Sequence, residues 1–175
     1  HFIPNNTHFD TTRGNIEFSG AEAFDFPVEI GTKPDVVGDF KGNMDIVKLN
    51  RFIEKVGRKN IPFGMVTVTN NAGGGQPVSM ENLKAISKVY HSHQIPFFID
   101  AARYAENCFF IKERETGYAQ DSVKEIAFEM FALADGMTMS AKKDAIVNIG
   151  GLLCMNDENL FGNVKNELIL REGFP

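Results

Sequence analysis

The chain has 175 residues, 43% of them hydrophobic and 23% charged, ordinary values for a globular domain with a buried core. A net charge of −5 and a pI near 5.4 exclude the clustered basic surface of a sequence-independent nucleic-acid binder. No apolar run nears the roughly 18 residues of a membrane span, and Cys108 and Cys154 make no disulfide framework, which fits a reducing cytoplasm.

The opening residues, His1 to Asn6, have neither an initiator Met nor the basic and apolar regions of a signal peptide. Asn5-Asn6-Thr7 matches the glycosylation triplet, but no other signal of secretion accompanies it. Ile46, Leu49, Ile53 and Val56 recur at helical spacing, and Gly57 stands where that helix would be capped. Gly64 to Thr69 reads as a buried strand rich in β-branched residues. Asn71 to Gln76 is a glycine-rich turn, after which Ser79 caps a helix carrying Leu83, Ile86 and Tyr90. Pro96 ends that connection, and Phe97 to Asp100 is a short apolar strand finishing in a carboxylate.

A further helix is expected over Tyr104 to Arg114. Another opens with the capping box Ser122-Val123-Lys124-Glu125 and continues through Phe131. Short strands follow near Met137 to Met139 and Gly151 to Met155. The last residues, Leu168 to Pro175, run from a helix-like segment into a turn. Both ends look cut, so the chain is expected to be a piece of a longer polypeptide. Strands separated by helices predict an α/β fold with parallel pairing and right-handed crossovers. Ligands of such sheets gather at the carboxyl ends of the strands. Asn71, Asp100 and Ser140 each follow a predicted strand.

The block Met139-Ser140-Ala141-Lys142-Lys143-Asp144 sets two lysines directly after a strand. Desolvation or a neighbouring cation favours the neutral amine that forms Schiff bases, and Lys142 gives Lys143 such a neighbour. Read alone, the pair is more simply two solvated surface lysines. Asp100, with Arg103 three residues on, fits either a carboxylate serving a bound ring or a helix cap with a local ion pair. Asn71 to Gln76 lets backbone approach a ligand closely, yet lacks the G-x-G-x-x-G spacing of dinucleotide binders. His91 and His93, two apart on a helix, point to different faces and belong to a surface helix end rather than a metal site.

Taken together, these segments resemble one family. The blocks are Thr67 to Ser79, with its Gly75-Gln76-Pro77-Val78-Ser79 end; Asp100-Ala101-Ala102-Arg103 with Glu106-Asn107; Ser140 to Asp144; and Gly150 to Met155. In order and spacing they are similar to the tryptophanase and tyrosine phenol-lyase family of pyridoxal-phosphate (PLP) β-eliminating lyases, along essentially the whole chain. The resemblance implies a fold-type-I enzyme in which residues 1–175 form the central part of the large, cofactor-binding domain. It implies that Lys143 carries PLP, that Asp100 keeps the ring nitrogen protonated, and that Arg103 and Asn71 lie near the phenolic oxygen. Ser140 would contact the phosphate, Phe9 would stack on the ring, and Lys142 would support the site through a polar contact. The family is activated by potassium, and Asn148 matches a residue offering the ion a backbone carbonyl. The family assembles as homotetramers. Its phosphate loop and catalytic tyrosine would precede His1, its substrate-carboxylate arginine would follow Pro175, and so the segment alone is expected to lack turnover.

The family pattern leaves two substrates open. Asp10, placed to meet the substrate, and the wording Ser140-Ala141-Lys142-Lys143 resemble tryptophanases, whereas Val147-Asn148-Ile149-Gly150-Gly151 resembles the phenol-lyases as well. L-Tryptophan, cleaved to indole, pyruvate and ammonia, is the favoured substrate, with L-tyrosine as the alternative. A different fold-type-I PLP enzyme and a non-catalytic piece are the remaining readings.

Overall fold

The computed structural model describes residues 1–173. It opens with strand β1 (Phe2–Asn5), helix α1 (Asp10–Phe18) and strand β2 (Glu22–Asp25), which pairs with β1 in parallel. The sequence reading did not anticipate these three elements. Helix α1 buries none of its residues, so no apolar stripe marks it.

From α2 (Ile46–Val56) onward local signals and structure agree. Leu49 and Ile53 of α2 are buried, the Asp45 carboxylate accepts the Lys48 N–H at its start, and Gly57 closes it at φ 80°. Strand β3 (Gly64–Thr67) leads to α3 (Met80–Ser92), whose N-cap Ser79 accepts the Asn82 N–H at 3.1 Å. Strand β4 (Phe97–Asp100), helix α4 (Tyr104–Arg114) and helix α5 (Val123–Ala132) follow. Both bonds of the expected capping box between Ser122 and Glu125 are present. Strand β5 (Gly136–Ser140), strand β6 (Gly151–Met155) and helix α6 (Glu158–Glu172) complete the order, and Gly173 is the α6 C-cap. The rest of the turn expected at the end, Phe174 and Pro175, lies outside the described residues.

Strands β3, β4, β5 and β6 form one sheet in that order. The first three are parallel, as expected of strands joined by helical crossovers. Strand β6 is antiparallel to β5, so parallel pairing holds for the strands joined by helices and fails at this edge. The reason lies in the connection: residues 141–150 contain no helix, and a parallel crossover needs about a dozen or more residues, usually helical. A correction concerns β3, which ends at Thr67 rather than Thr69. Beyond it the Val68 carbonyl accepts the Arg103 N–H and Asn70 closes onto Gln76, so the chain leaves the ladder.

Period-two alternation decides what each sheet face meets. Val66, Phe97 and Ile99 point into a core with Leu83, Ile86 and Tyr90 of α3, Ile111 of α4, and Ile126 and Met130 of α5. Burying each such side chain contributes about 1.5–3 kcal/mol relative to exposure. The register then sets Thr67 and Asp100, the last residues of β3 and β4, side by side with Thr138 of β5. Strand β1 reaches this row through a side chain. The Asn6 amide accepts the Thr67 N–H at 2.9 Å and donates to the Thr67 carbonyl at 3.0 Å, standing in for a strand pairing.

Candidate active site at the strand ends

A cleft of about 350 Å³ opens beside that row. Seven of the residues singled out in the sequence line it: Phe9, Asn71, Asp100, Arg103, Ser140, Lys142 and Lys143. Two do not. Asp10 is exposed at the start of α1, and Asn148 is exposed on the β5–β6 connection. The cleft also takes in Thr67 of β3, Val68 and Thr69 after it, Ala102 after β4, Thr138 of β5, and Thr11 and Thr12 of α1, none of which had been given a role in the site.

Each charged group is held by its local chain. Lys143 follows β5 in a turn, and its Nζ donates to Ser140 Oγ at 3.2 Å. Arg103 is the N-cap residue of α4, and its Nη1 donates to Asn71 Oδ1 at 2.5 Å, so two expected site residues touch each other directly. Asn71 is presented by the glycine turn, where Gly74 and Gly75 adopt φ 86° and 73° and Asn70 N–H bonds the Gln76 carbonyl. Neither Asp100 nor Lys143 belongs to an ion pair among the described residues. Burial pushes the Asp100 carboxyl above its usual range, and the Ala102 N–H and the charges of Lys143, Arg103 and His8 offset this only in part. A positive group placed against Asp100 would therefore find an acceptor that lacks one.

Two buried polar side-chain atoms near the cleft have no hydrogen-bond partner among the described residues, His8 Nε2 and Thr69 Oγ1. Thr69 itself lines the cleft. His8 sits between Thr7, whose hydroxyl receives the Asn70 amide, and Phe9, and its Nδ1 lies 2.6 Å from Asp25 Oδ1. The second carboxylate oxygen of Asp25 takes Arg13 Nη2. His91 and His93 lie at the end of α3 as expected. A carboxylate does stand near them: His91 Nε2 is 2.9 Å from Asp135 Oδ2. Among the described residues no group of three metal-ligating side chains occurs.

Two larger cavities carry less chemistry. One of about 590 Å³ is lined by Phe63, Met65, Phe98 and Leu153 among others and contains no ionisable side chain. Another of about 460 Å³ contains His91 and Asp135, already engaged with each other. Of these three, the 350 Å³ cleft is the one that combines, among the described residues, an amine and a carboxylate outside any ion pair.

The family model described as beta-eliminating lyase matches residues 2–171. This chain belongs to the beta-eliminating lyase family. It is 55% identical over 173 residues to a tryptophanase of Hyphomonas neptunium, covering 99% of this chain and 38% of that protein. It is 45% identical over 174 residues to a tyrosine phenol-lyase of Lacrimispora saccharolytica, covering 99% of this chain and 37% of that one. The chain thus spans little more than a third of the curated relatives it matches. Among solved structures, a Listeria monocytogenes protein provisionally described as an L-allo-threonine aldolase superposes with a TM-score of 0.63 at 19% identity, over 98% of this chain and 41% of that one. That likeness concerns the fold alone, and the fold is the fold-type-I α/β arrangement. No helix among the described residues is long and apolar enough to cross a membrane.

Proposed function

We propose that the complete protein is a PLP-dependent lyase performing β-elimination on an aromatic L-amino acid, with L-tryptophan preferred over L-tyrosine. The observation that carries this reading is the shared cleft of Lys143 and Asp100, each free of ion pairs among the described residues, at the strand ends of a lyase-family fold. The site suits the cofactor: a half-buried carboxylate outside any ion pair for a cationic ring nitrogen, an amine for a carbonyl, and a hydroxyl at Ser140 for a phosphate. When bound, PLP supplies the electron sink that stabilises negative charge at the substrate Cα.

In this reading the Lys143 amine would hold the cofactor and, once the substrate amine has displaced it, would be free to take the substrate Cα proton as general base. Asp100 holds a proton on the facing ring nitrogen. Its burial makes a lone charge costly, so an opposed cation favours its ionised form. Arg103, oriented by Asn71, serves the phenolic oxygen side. Phe9 offers a ring face, Lys142 a polar contact, Asp10 a contact to substrate, and the Asn148 carbonyl a ligand for potassium. Departure of the aromatic group needs a general acid, which we assign outside this segment. The segment would form the central part of the cofactor-binding domain in a cytoplasmic homotetramer that has no nucleic-acid or membrane partner.

Tryptophan is favoured by Asp10 and by the identities of 55% and 45% to the tryptophanase and the phenol-lyase. Borohydride reduction of the complete protein with PLP, followed by peptide mapping, tests the core of the reading. The pyridoxyl adduct is expected on Lys143 and absent in Lys143→Ala; an adduct elsewhere refutes the assignment. With potassium present, L-tryptophan should release indole at a higher kcat/KM than L-tyrosine releases phenol, and the reverse order makes the protein a phenol-lyase.

A further inference from the structure

We infer that Asp144 is a positioning residue whose carboxylate clips the lysine-bearing loop onto the first turn of α4, fixing Lys143 relative to Asp100 and Arg103. The inference rests on the cofactor role proposed for Lys143.

A helix start leaves backbone N–H groups without partners inside the helix, and a Ser, Thr, Asp or Asn at the N-cap ordinarily accepts one of them. Helix α4 has Arg103 at that position, a side chain with no acceptor, and it makes no side-chain cap bond. The missing acceptor comes from far along the chain. Asp144 Oδ2 receives the Ala105 N–H at 2.7 Å and the Glu106 N–H at 3.2 Å. Its own N–H reaches back toward the Ala102 carbonyl at 3.4 Å. The residue next to Lys143 is therefore tied to residues 102–106 through both its backbone and its side chain.

The arrangement has two consequences. Negative charge at a helix N-terminus is favoured by the aligned peptide dipoles, so the clip is held by electrostatics as well as by its two bonds. Arg103 has no capping task, and its guanidinium is free to engage Asn71 in the cleft. The same carboxylate acts on the interior of α4. Burial first, and then the Asp144 charge, push the Cys108 thiol up to about 12. Helix α5 shows the ordinary solution for contrast, since Ser122 caps its own helix and anchors nothing else. The far side of the lysine loop is closed by Ala141 N–H on the Gly150 carbonyl and Val147 N–H on the Ala141 carbonyl. Asp144 is the link from this loop to the Asp100–Arg103 segment.

The test uses the complete polypeptide with PLP as the probe and compares Asp144→Ala, Asp144→Asn and Ser122→Ala. Two readouts are taken: the rate of borohydride-trappable attachment at Lys143, and hydrogen exchange at the Ala105 and Glu106 amides. Asp144→Ala should slow attachment by on the order of 10- to 100-fold, the usual scale for a displaced catalytic group, and speed exchange at both amides. Asp144→Asn keeps an acceptor oxygen and should recover much of the rate. Ser122→Ala removes a cap of comparable strength elsewhere and should leave the attachment rate unchanged. An Asp144→Ala protein with wild-type attachment overturns the inference, as does an equal loss in Ser122→Ala. If Asp144→Ala does not fold, wild-type exchange at both amides in Asp144→Asn together with a full loss of attachment overturns it. Absence of any Lys143 adduct in the wild type defeats the proposed function instead, and exchange at the two amides still reads whether the clip exists.

Discussion

Asn107 holds Val78 with both ends of its amide: Oδ1 accepts the Val78 N–H at 2.9 Å and Nδ2 donates to the Val78 carbonyl at 2.9 Å. Both residues are fully buried, so no water stands ready to replace either bond. This pairing ties the Gln76-Pro77-Val78-Ser79 segment, and so the start of α3, to the middle of α4. Asn107→Ala leaves a buried donor and a buried acceptor without partners, a loss of about 2–4 kcal/mol. A thermal melt of the complete protein checks this, and a midpoint equal to wild type contradicts it.

Asp25 makes acid stability a second test. Burial pushes its carboxyl up, but the His8 ring and amide and the Arg13 charge outweigh this and hold it below the usual carboxylate range. A depressed folded pKa stabilises the fold at pH values above the unfolded value, about 3.9. That contribution disappears as pH falls from there through the folded value. Asp25→Asn should cost about 1–2 kcal/mol at pH 7, where charged hydrogen bonds are lost. The gap to wild type should narrow below about pH 4. Denaturant midpoints measured for both proteins from pH 7 to pH 3 would show the convergence; a constant gap argues that Asp25 acts only through its shape.

Gly64 sits at the start of β3 against the ring of Tyr90, and an added Cβ would lie 2.1 Å from the ring carbon Cζ. The ring cannot retreat, because it packs on Phe97 and its hydroxyl donates to the Pro4 carbonyl at 3.2 Å. Gly64→Ala should destabilise by about 1–3 kcal/mol or more through overpacking. Tyr90→Phe should cost about 1 kcal/mol for its lost hydrogen bond. Since the ring and not the hydroxyl is the obstacle, Gly64→Ala with Tyr90→Phe should be no more stable than Gly64→Ala alone. Recovery in the double variant would mean the hydroxyl contact, rather than the ring, holds Tyr90 in place.

What could be read from the sequence divides along the range of the forces involved. The α5 capping box and the Gly57 cap are interactions within one turn, and both occur as read. Asp100, Arg103 and Lys143 were ambiguous from their own surroundings and became site candidates only through the family resemblance; the fold brings all three to one cleft beside the strand ends. The direction of β6 was not legible from its own residues, since five apolar or small positions pair equally well either way. It follows instead from the short connection before it. Helix α1 escaped because its exposed surface bears no stripe. Asp144 and the His8–Asp25 pair escaped for a different reason: their partners stand 39 and 17 residues away, beyond any local pattern.

Asp100 brings stability and function into opposition. Its folded pKa is raised, so its contribution to stability is fully present below the ordinary carboxylate value and is lost as pH climbs through the folded one. Once ionised, the carboxylate is a half-buried, poorly compensated charge in the cofactor-free protein. Asp100→Asn removes that charge while keeping the shape. It should raise the melting point of the cofactor-free protein at alkaline pH and lose this advantage as the buffer is acidified, because the native carboxyl takes up its proton above the ordinary carboxylate range. Saturation with PLP should reverse the order. In the proposed role the wild-type carboxylate would then meet a cationic nitrogen and gain stability by linkage, whereas the amide would gain less and indole release by the complete protein should fall. Parallel melts with and without PLP decide the matter. A variant less stable than wild type in the cofactor-free state would show that Asp100 serves the fold, and a variant with wild-type turnover would remove it from the chemistry.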